Sequence, residues 1–205
     1  MEEPLTIFYT GGIRGDLDIL PRLYTFLKHL RRDRALTPGR ALFLDVGDSC
    51  AADVWHCDVT GGRSTLVVLD SMGYDAANAA GLADAESRAK LAHVVTMGLI
   101  DATHDLTRGG LALVYHDNVL TLEQRLRVVI QPQPTTRLIN GTLYLGAVEH
   151  EQVGMALVEM AGIPVLERDE IFNLPPGLAP DATIAGTVEF VISEARYTQR
   201  KRDEK

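Results

Sequence analysis

Three groups of residues have the types and spacing for chemistry. The first ends the stretch Arg40-Ala-Leu-Phe-Leu-Asp-Val-Gly-Asp-Ser49, where a short apolar run gives way to two carboxylates, a glycine and a hydroxyl. Carboxylates at such a tip can hold a cation or move a proton. The plainer reading is that Asp48-Ser49 caps whatever follows. The second is Thr10-Gly-Gly-Ile-Arg-Gly-Asp16. Here Arg14, together with Arg63 further on and the amides around Gly11 to Gly15, could supply donors to a phosphate or carboxylate. The plainer reading of Arg14 is a salt bridge to Asp16, Asp45 or Asp48. The third is Trp55-His-Cys-Asp58, with Cys50 close in sequence. Asp48, His56, Cys57 and Asp58 are metal-ligand types, and a zinc site can be drawn from them. Consecutive residues rarely point at one ion, however, and Cys50 and Cys57 read as small core residues.

These groups depend on the elements that carry them. Leu5 to Tyr9 and Ala41 to Leu44 are apolar runs of the kind buried on both faces of a sheet. Between them Ile19, Leu20, Leu23, Phe26, Leu27 and Leu30 recur at helical spacing. Asp18 is placed to cap that helix, and Pro21 falls in its first turn. Thr37-Pro-Gly39 breaks the chain before the second strand. A strand–helix–strand order implies a right-handed crossover and a parallel pair. Both tips then open on one sheet edge, where ligands of open α/β sheets sit. Trp55 to Asp58 reads as a loop near the Asp48 tip, partly covering that edge. A helix over about Ser64 to Met72 and a strand over Asp75 to Asn78 follow. Asp84 or Ser87 starts a helix with Leu91, Val94, Val95 and Leu99 on its buried face.

The second half reads as strands. Leu111 to Tyr115 is one, and Leu126, Val128 and Ile130 alternate as in a half-buried strand. Asn140-Gly141 between apolar runs signals a hairpin. Val153, Met155 and Leu157 fit a strand, with a helix as the alternative. After Leu174 to Pro180, Asp181 caps a helix whose buried face is Ile184, Val188, Val191, Ile192 and Ala195. Arg196 to Lys205 is charged and expected to fray. The layout predicts one α/β domain over residues 1–198, with two packed sheets and outer helices, and a charged tail over 199–205.

Composition narrows the function. A net charge of −8 argues against a nucleic-acid surface. Lys28 to Arg34 reads as a solvated helix face. No apolar stretch is long enough to span a bilayer, and the acidic start, Met1-Glu-Glu-Pro4, does not read as a signal peptide. Two cysteines without disulfides suit a reducing compartment, so a cytoplasmic location is expected.

Ile7-Phe-Tyr-Thr-Gly-Gly-Ile-Arg-Gly-Asp-Leu17, Leu42-Phe-Leu-Asp-Val-Gly-Asp-Ser49 and Met72-Gly-Tyr-Asp-Ala-Ala77 together resemble the calcineurin-like metallophosphoesterases, in their 5′-nucleotidase branch. The resemblance implies a four-layer αββα sandwich. It also implies two divalent metals, such as Mn, Mg or Zn, that clamp a phosphate ester and generate a hydroxide for attack. Such ions sit about 3.5–4 Å apart and need several carboxylate and imidazole ligands. The family draws them from an Asp-x-His after the first strand, a Gly-Asp after the second, an Asn-His after the third and later histidines. On this chain the first motif falls on Gly12 and Arg14, the second survives as Gly47-Asp48, and the third falls on Gly81 and Leu82. His104, His116 and His150 stand in no Gly-His-x-His-like string. Arg14 also places a fixed positive charge where a cation would sit.

The favoured reading is therefore a catalytically silent relative without a metal cofactor. It is a binding or scaffold module whose cleft, Gly12, Arg14, Asp16, Asp48, Ser49 and Arg63, accepts a phosphate-type anion. The alternative is a divergent metal-dependent phosphoesterase or nucleotidase with a site rebuilt around Asp48, His56 and Asp58; an α/β protein of unrelated role is the remaining class. The expected partners are a small anion or nucleotide, or another protein. Neither nucleic acid nor membrane is expected, and oligomeric state is not legible.

Overall fold

The computed structural model describes residues 4–33, 41–82, 84–108, 110–116 and 125–204. Two mixed sheets stack face to face. The first contains β1 (Leu5–Thr10), β2 (Ala41–Asp45), β3 (Ala76–Asn78), β4 (Gly98–Ile100), β10 (Gln152–Glu159) and β11 (Val165–Asn173), in the order β11-β10-β1-β2-β3-β4. The second contains β5 (Leu106–Arg108), β6 (Leu111–Val114), β7 (Leu126–Gln133), β8 (Arg137–Ile139) and β9 (Thr142–Gly146), in the order β5-β6-β7-β9-β8.

β1, β2 and β3 are parallel, as their crossover order predicts, with Thr10 level with Asp45 and Asp45 level with Ala77, and β4 adds a further parallel strand beside β3. β1 alternates its side chains between two cores. Phe8 faces the helices, while Ile7 and Tyr9 face the second sheet with Leu126, Val128, Ile130, Leu143 and Leu145. That explains why the strand reads as a continuous apolar run. β10 joins β1 antiparallel, with Gly154 opposite Tyr9. No side chain fits at Gly154, because the Tyr9 ring lies across it. The Tyr9 hydroxyl lies 2.9 Å from Thr136 Oγ1, beside the second sheet. Asn140 and Gly141, both at positive φ (49° and 74°), form the turn between β8 and β9, as Asn-Gly predicts.

The helices α1 (Leu20–Asp33), α2 (Trp55–Thr60), α3 (Arg63–Ser71), α4 (Ala85–Ala92) and α5 (Ala182–Asp203) pack on the outer face of the first sheet. Of the two helical layers of an αββα sandwich, the described residues supply this one. α5 touches α1, α2 and α3. Asp181 caps it by accepting from the Thr183 and Ile184 amides, and Ile184, Val191 and Ala195 are buried beneath it. No helix is long and apolar enough to cross a membrane.

Several local expectations are corrected. Trp55 to Asp58 is helical, closed by Gly61 in the left-handed region and by Thr60 Oγ1 donating to the His56 carbonyl. Asp18 does not cap α1; the helix starts at Leu20, and Asp16 Oδ1 accepts the Asp18 amide. α4 is capped by Asp84 but ends at Ala92, so Val94 is 64% exposed and Leu99 lies in β4. α5 continues through the charged segment to Asp203, where Arg202 pairs with Asp58 at 2.8 Å. Lys28 pairs with Asp181 at 2.6 Å. Thr37, Pro38 and Gly39 lie outside the described residues.

Candidate functional site

The tips of β1 and β2 meet on one sheet edge. They are zipped together by backbone hydrogen bonds, which continue the strand pairing into the loops. The amides of Gly12, Arg14 and Gly15 donate to the carbonyls of Gly47, Asp48 and Ser49 at 2.9, 2.8 and 2.9 Å. The amide of Asp16 turns back to Ile13. Three of the amides expected to cradle an anion are thus already engaged, which narrows the amide part of the candidate cleft. Arg14 and Asp48 both adopt positive φ (54° and 56°), a conformation that costs a non-glycine residue free energy. Their side chains form the salt bridge anticipated as the plainer reading, Arg14 Nη1 to Asp48 Oδ2 at 3.4 Å. Both are more than half exposed, so the pair contributes little to stability. Asp48 is therefore neither buried nor unpaired.

Beneath the zip lies a buried polar group whose role the sequence did not reveal. Asp45 is fully buried; Ser49 Oγ donates to its Oδ2 at 2.5 Å, while Oδ1 has no partner. Burial pushes its pKa up to about 7, against the opposing pull of Ser49 and the Gly47 amide. Close by, Thr10 Oγ1 and the Tyr74 hydroxyl are 2.8 Å apart. Asn78 Nδ2 donates to the Val46 carbonyl at 3.0 Å, and its Oδ1 accepts the Ala80 amide, tying the β3 tip to the β2 tip. Asn78, Tyr74 and Thr10 look like ordinary strand residues in sequence. The available signal was the polar Asn78 directly after the apolar Ala76-Ala77 pair.

The remaining candidates disperse. Ser49 is engaged by Asp45. Arg63 donates from Nε to the Thr60 carbonyl and lines a separate cavity of about 220 Å³ beside α5, with Ser64, Phe190 and Glu194. It does not join Arg14. Asp58 faces Arg202 and Asp48 faces Arg14, so Asp48, His56 and Asp58 do not converge. Trp55 is 43% exposed and edge-on to the His56 ring. His104 Nδ1 lies 2.9 Å from Asp101 Oδ1, and His116 packs against Tyr115.

His56 is buried behind the first tip. Its Nε2 is 3.0 Å from the Gly15 carbonyl and its Nδ1 is 2.8 Å from Ser64 Oγ. A carbonyl only accepts, so Nε2 carries the proton and Nδ1 accepts from Ser64. Burial lowers the pKa of the ring, which favours this neutral form. The two cysteines are not free thiols: Cys50 and Cys57 form a disulfide, which removes the expectation of a disulfide-free chain.

Among the described residues, no carboxylates and histidines converge at the sheet edge as a two-metal centre requires. Gly12 and Arg14 stand at the first tip, and Gly81 and Leu82 lie beyond the third strand.

No family model and no curated protein matches the chain by sequence. Solved structures do match its fold. The NAD nucleotidase NadN of Haemophilus influenzae aligns with a TM-score of 0.62 at 10% identity, over 95% of this chain and 60% of that one. The calcineurin-like phosphoesterase YfkN of Bacillus subtilis aligns with a TM-score of 0.62 at 9% identity, over 96% and 99%. The 5′-nucleotidase precursor of Thermus thermophilus aligns with a TM-score of 0.59 at 12% identity, over 95% and 59%. The chain thus spans about 60% of the length of two of these structures. Its two mixed sheets and flanking helices have the calcineurin-like metallophosphoesterase fold, in the form shared with 5′-nucleotidases.

Proposed function

We propose that this chain is a catalytically silent module on the metallophosphoesterase fold, acting by binding or as a scaffold rather than by hydrolysis. The observation that carries the reading is the closed sheet edge. Arg14 stands where the fold's first-tip ligand would be, it pairs with Asp48, and the Gly12, Arg14 and Gly15 amides are engaged by carbonyls of the β2 loop. A metal-bound hydroxide requires a tightly held ion, and a guanidinium over the one surviving carboxylate opposes that ion. The exposed face of Arg14 is the group left to meet a phosphate-type anion, by exchanging Asp48 for it. The geometry gives no support to a rebuilt metal site at Asp48, His56 and Asp58, because those side chains are held by different partners.

The test is hydrolysis of a generic phosphodiester and of nucleoside monophosphates by the disulfide-intact protein, with Mn²⁺, Mg²⁺ or Zn²⁺ at neutral pH. No turnover is expected, and Asp48→Asn should leave that result unchanged. Gly12→Asp with Arg14→His should recover at most weak single-metal binding, still without turnover. Hydrolysis by the wild type that Asp48→Asn abolishes would overturn the reading.

A further inference from the structure

Cys50, His56 and Cys57 are the one group of three metal-capable side chains that converge among the described residues, with a ligand atom from each within 4.8 Å of the others. Cys50 comes from the loop after β2, and the other two from the first turn of α2. His56 and Cys57 are adjacent, and adjacent helical residues diverge by about 100°. Even so, His56 Nδ1 lies 3.7 Å from Cys57 Sγ. A tetrahedral zinc ion with Zn–N of about 2.0 Å and Zn–S of about 2.3 Å holds nitrogen and sulfur about 3.6 Å apart. The observed spacing already matches.

The surroundings also suit a metal. The Gly15 carbonyl accepts from His56 Nε2, which leaves the Nδ1 lone pair directed toward Ser64 and Cys57. A backbone carbonyl orienting the far nitrogen is the usual support of a metal-ligating histidine. Cys50 Sγ lies 3.2 Å from Thr65 Oγ1 and 3.6 Å from Ser64 Oγ. Both hydroxyls can donate to a thiolate. His56, Cys57, Ser64 and Thr65 are buried, so a bound ion would be shielded from water.

We propose that, once the Cys50–Cys57 disulfide is reduced, the two thiolates and His56 Nδ1 form a binding site for a thiophilic divalent cation of the zinc class. Disulfide and metal are then alternative closures of one site. A dithiol or phosphine reductant supplies two electrons and is itself oxidised; the S–S bond breaks and each sulfur gains a proton. The cation displaces both thiol protons to water and takes the Nδ1 lone pair from the Ser64 hydrogen bond. Ser64 Oγ or a water fills the fourth position. The sulfurs need only separate to about 3.8 Å, the spacing of two thiolates on one tetrahedral ion. Of the sheet-edge residues the proposal uses only the Gly15 carbonyl and no side chain, so it stands or falls separately from the proposed absence of hydrolysis.

The test compares the oxidised chain with the same chain reduced by a phosphine and desalted without oxygen. Each is titrated with Co²⁺ and then Zn²⁺. The reduced protein should develop a near-ultraviolet thiolate-to-cobalt band that saturates at one ion per chain and is bleached by Zn²⁺. The oxidised protein should show none. Zinc should also protect both thiols from a disulfide reagent, and His56→Gln should weaken binding at least tenfold while both cysteines remain. A reduced wild type without the band overturns the proposal. So does equal binding by the oxidised chain, or undiminished affinity in His56→Gln.

Discussion

Replacing Asp45 by Asn should make the protein more stable at neutral pH and change how its stability depends on pH. Asp45 is fully buried, with one oxygen bonded to Ser49 and the other unpartnered. Its pKa is raised to about 7, first by burial and to a smaller degree by Asp48, while Ser49 and the Gly47 amide pull the other way. In the unfolded chain the carboxyl returns to the ordinary value of 3.8. The folded state therefore binds the proton more tightly than the unfolded state between those two values. Stability must fall as pH rises through that window, and below it both states are protonated and no penalty remains. A shift of about three units corresponds to a full penalty of about 4 kcal/mol, of which about 2–3 kcal/mol develops between pH 5 and pH 8. Asparagine keeps the shape and an acceptor for Ser49 without the charge. Urea unfolding of both proteins at pH 5, 6, 7 and 8 measures the gap, and titrations common to the two cancel. The gap should move in favour of Asp45→Asn by about 2–3 kcal/mol from pH 5 to pH 8. Parallel curves, or a variant equally destabilised at every pH, would contradict a buried carboxyl that is forced to ionise.

Gly154→Ala should destabilise the fold by about 3 kcal/mol in the same assay, because the new methyl overlaps the Tyr9 ring between β1 and β10. Combining it with Tyr9→Leu should recover part of that loss, and strict additivity would contradict the steric cause. Asp101 is pushed up by burial, but His104, the Thr103 amide and Arg88 outweigh this and hold its pKa well below the carboxylate range. Arg88 Nε contacts it at 2.5 Å. Asp101→Asn should therefore cost about 2 kcal/mol at pH 7. With a depressed folded pKa, that contribution is present above the ordinary carboxylate range and lost on acidification. The deficit of the variant should shrink below about pH 4, as read by thermal unfolding across pH.

Local physics made much of the fold legible. The period of Leu20, Leu23, Phe26, Leu27 and Leu30, the apolar runs of β1 and β2, the Asn140-Gly141 turn and the Asp181 cap each follow from interactions within a few residues, and all recur in the structure. The parallel pairing of β1, β2 and β3 followed too, since a helix between two strands allows few paths. Short elements were less legible. α2 has no apolar repeat, and its closure depends on Gly61 and Thr60. α4 stops where Leu99 is claimed by the sheet, a tertiary preference that overrides helical spacing.

Residue order was enough to bring the β1 and β2 tips to one edge and to put Gly12 and Arg14 in place of ligand types there. How those residues are partnered was decided by packing. Whether the Gly12, Arg14 and Gly15 amides are free depends on the carbonyls of a loop more than thirty residues away, and those carbonyls take them. Whether Arg14 and Arg63 act together depends on the route of α2 and α3, which carries Arg63 to a different cavity. Cys50, His56 and Cys57 carry no recognisable ligand spacing. They converge because the loop after β2 folds back on α2 while the Gly15 carbonyl, from the first tip, fixes the imidazole. Donors and acceptors in a site are satisfied by whatever lies nearest in space, and nearness in space is what the order of residues alone does not encode.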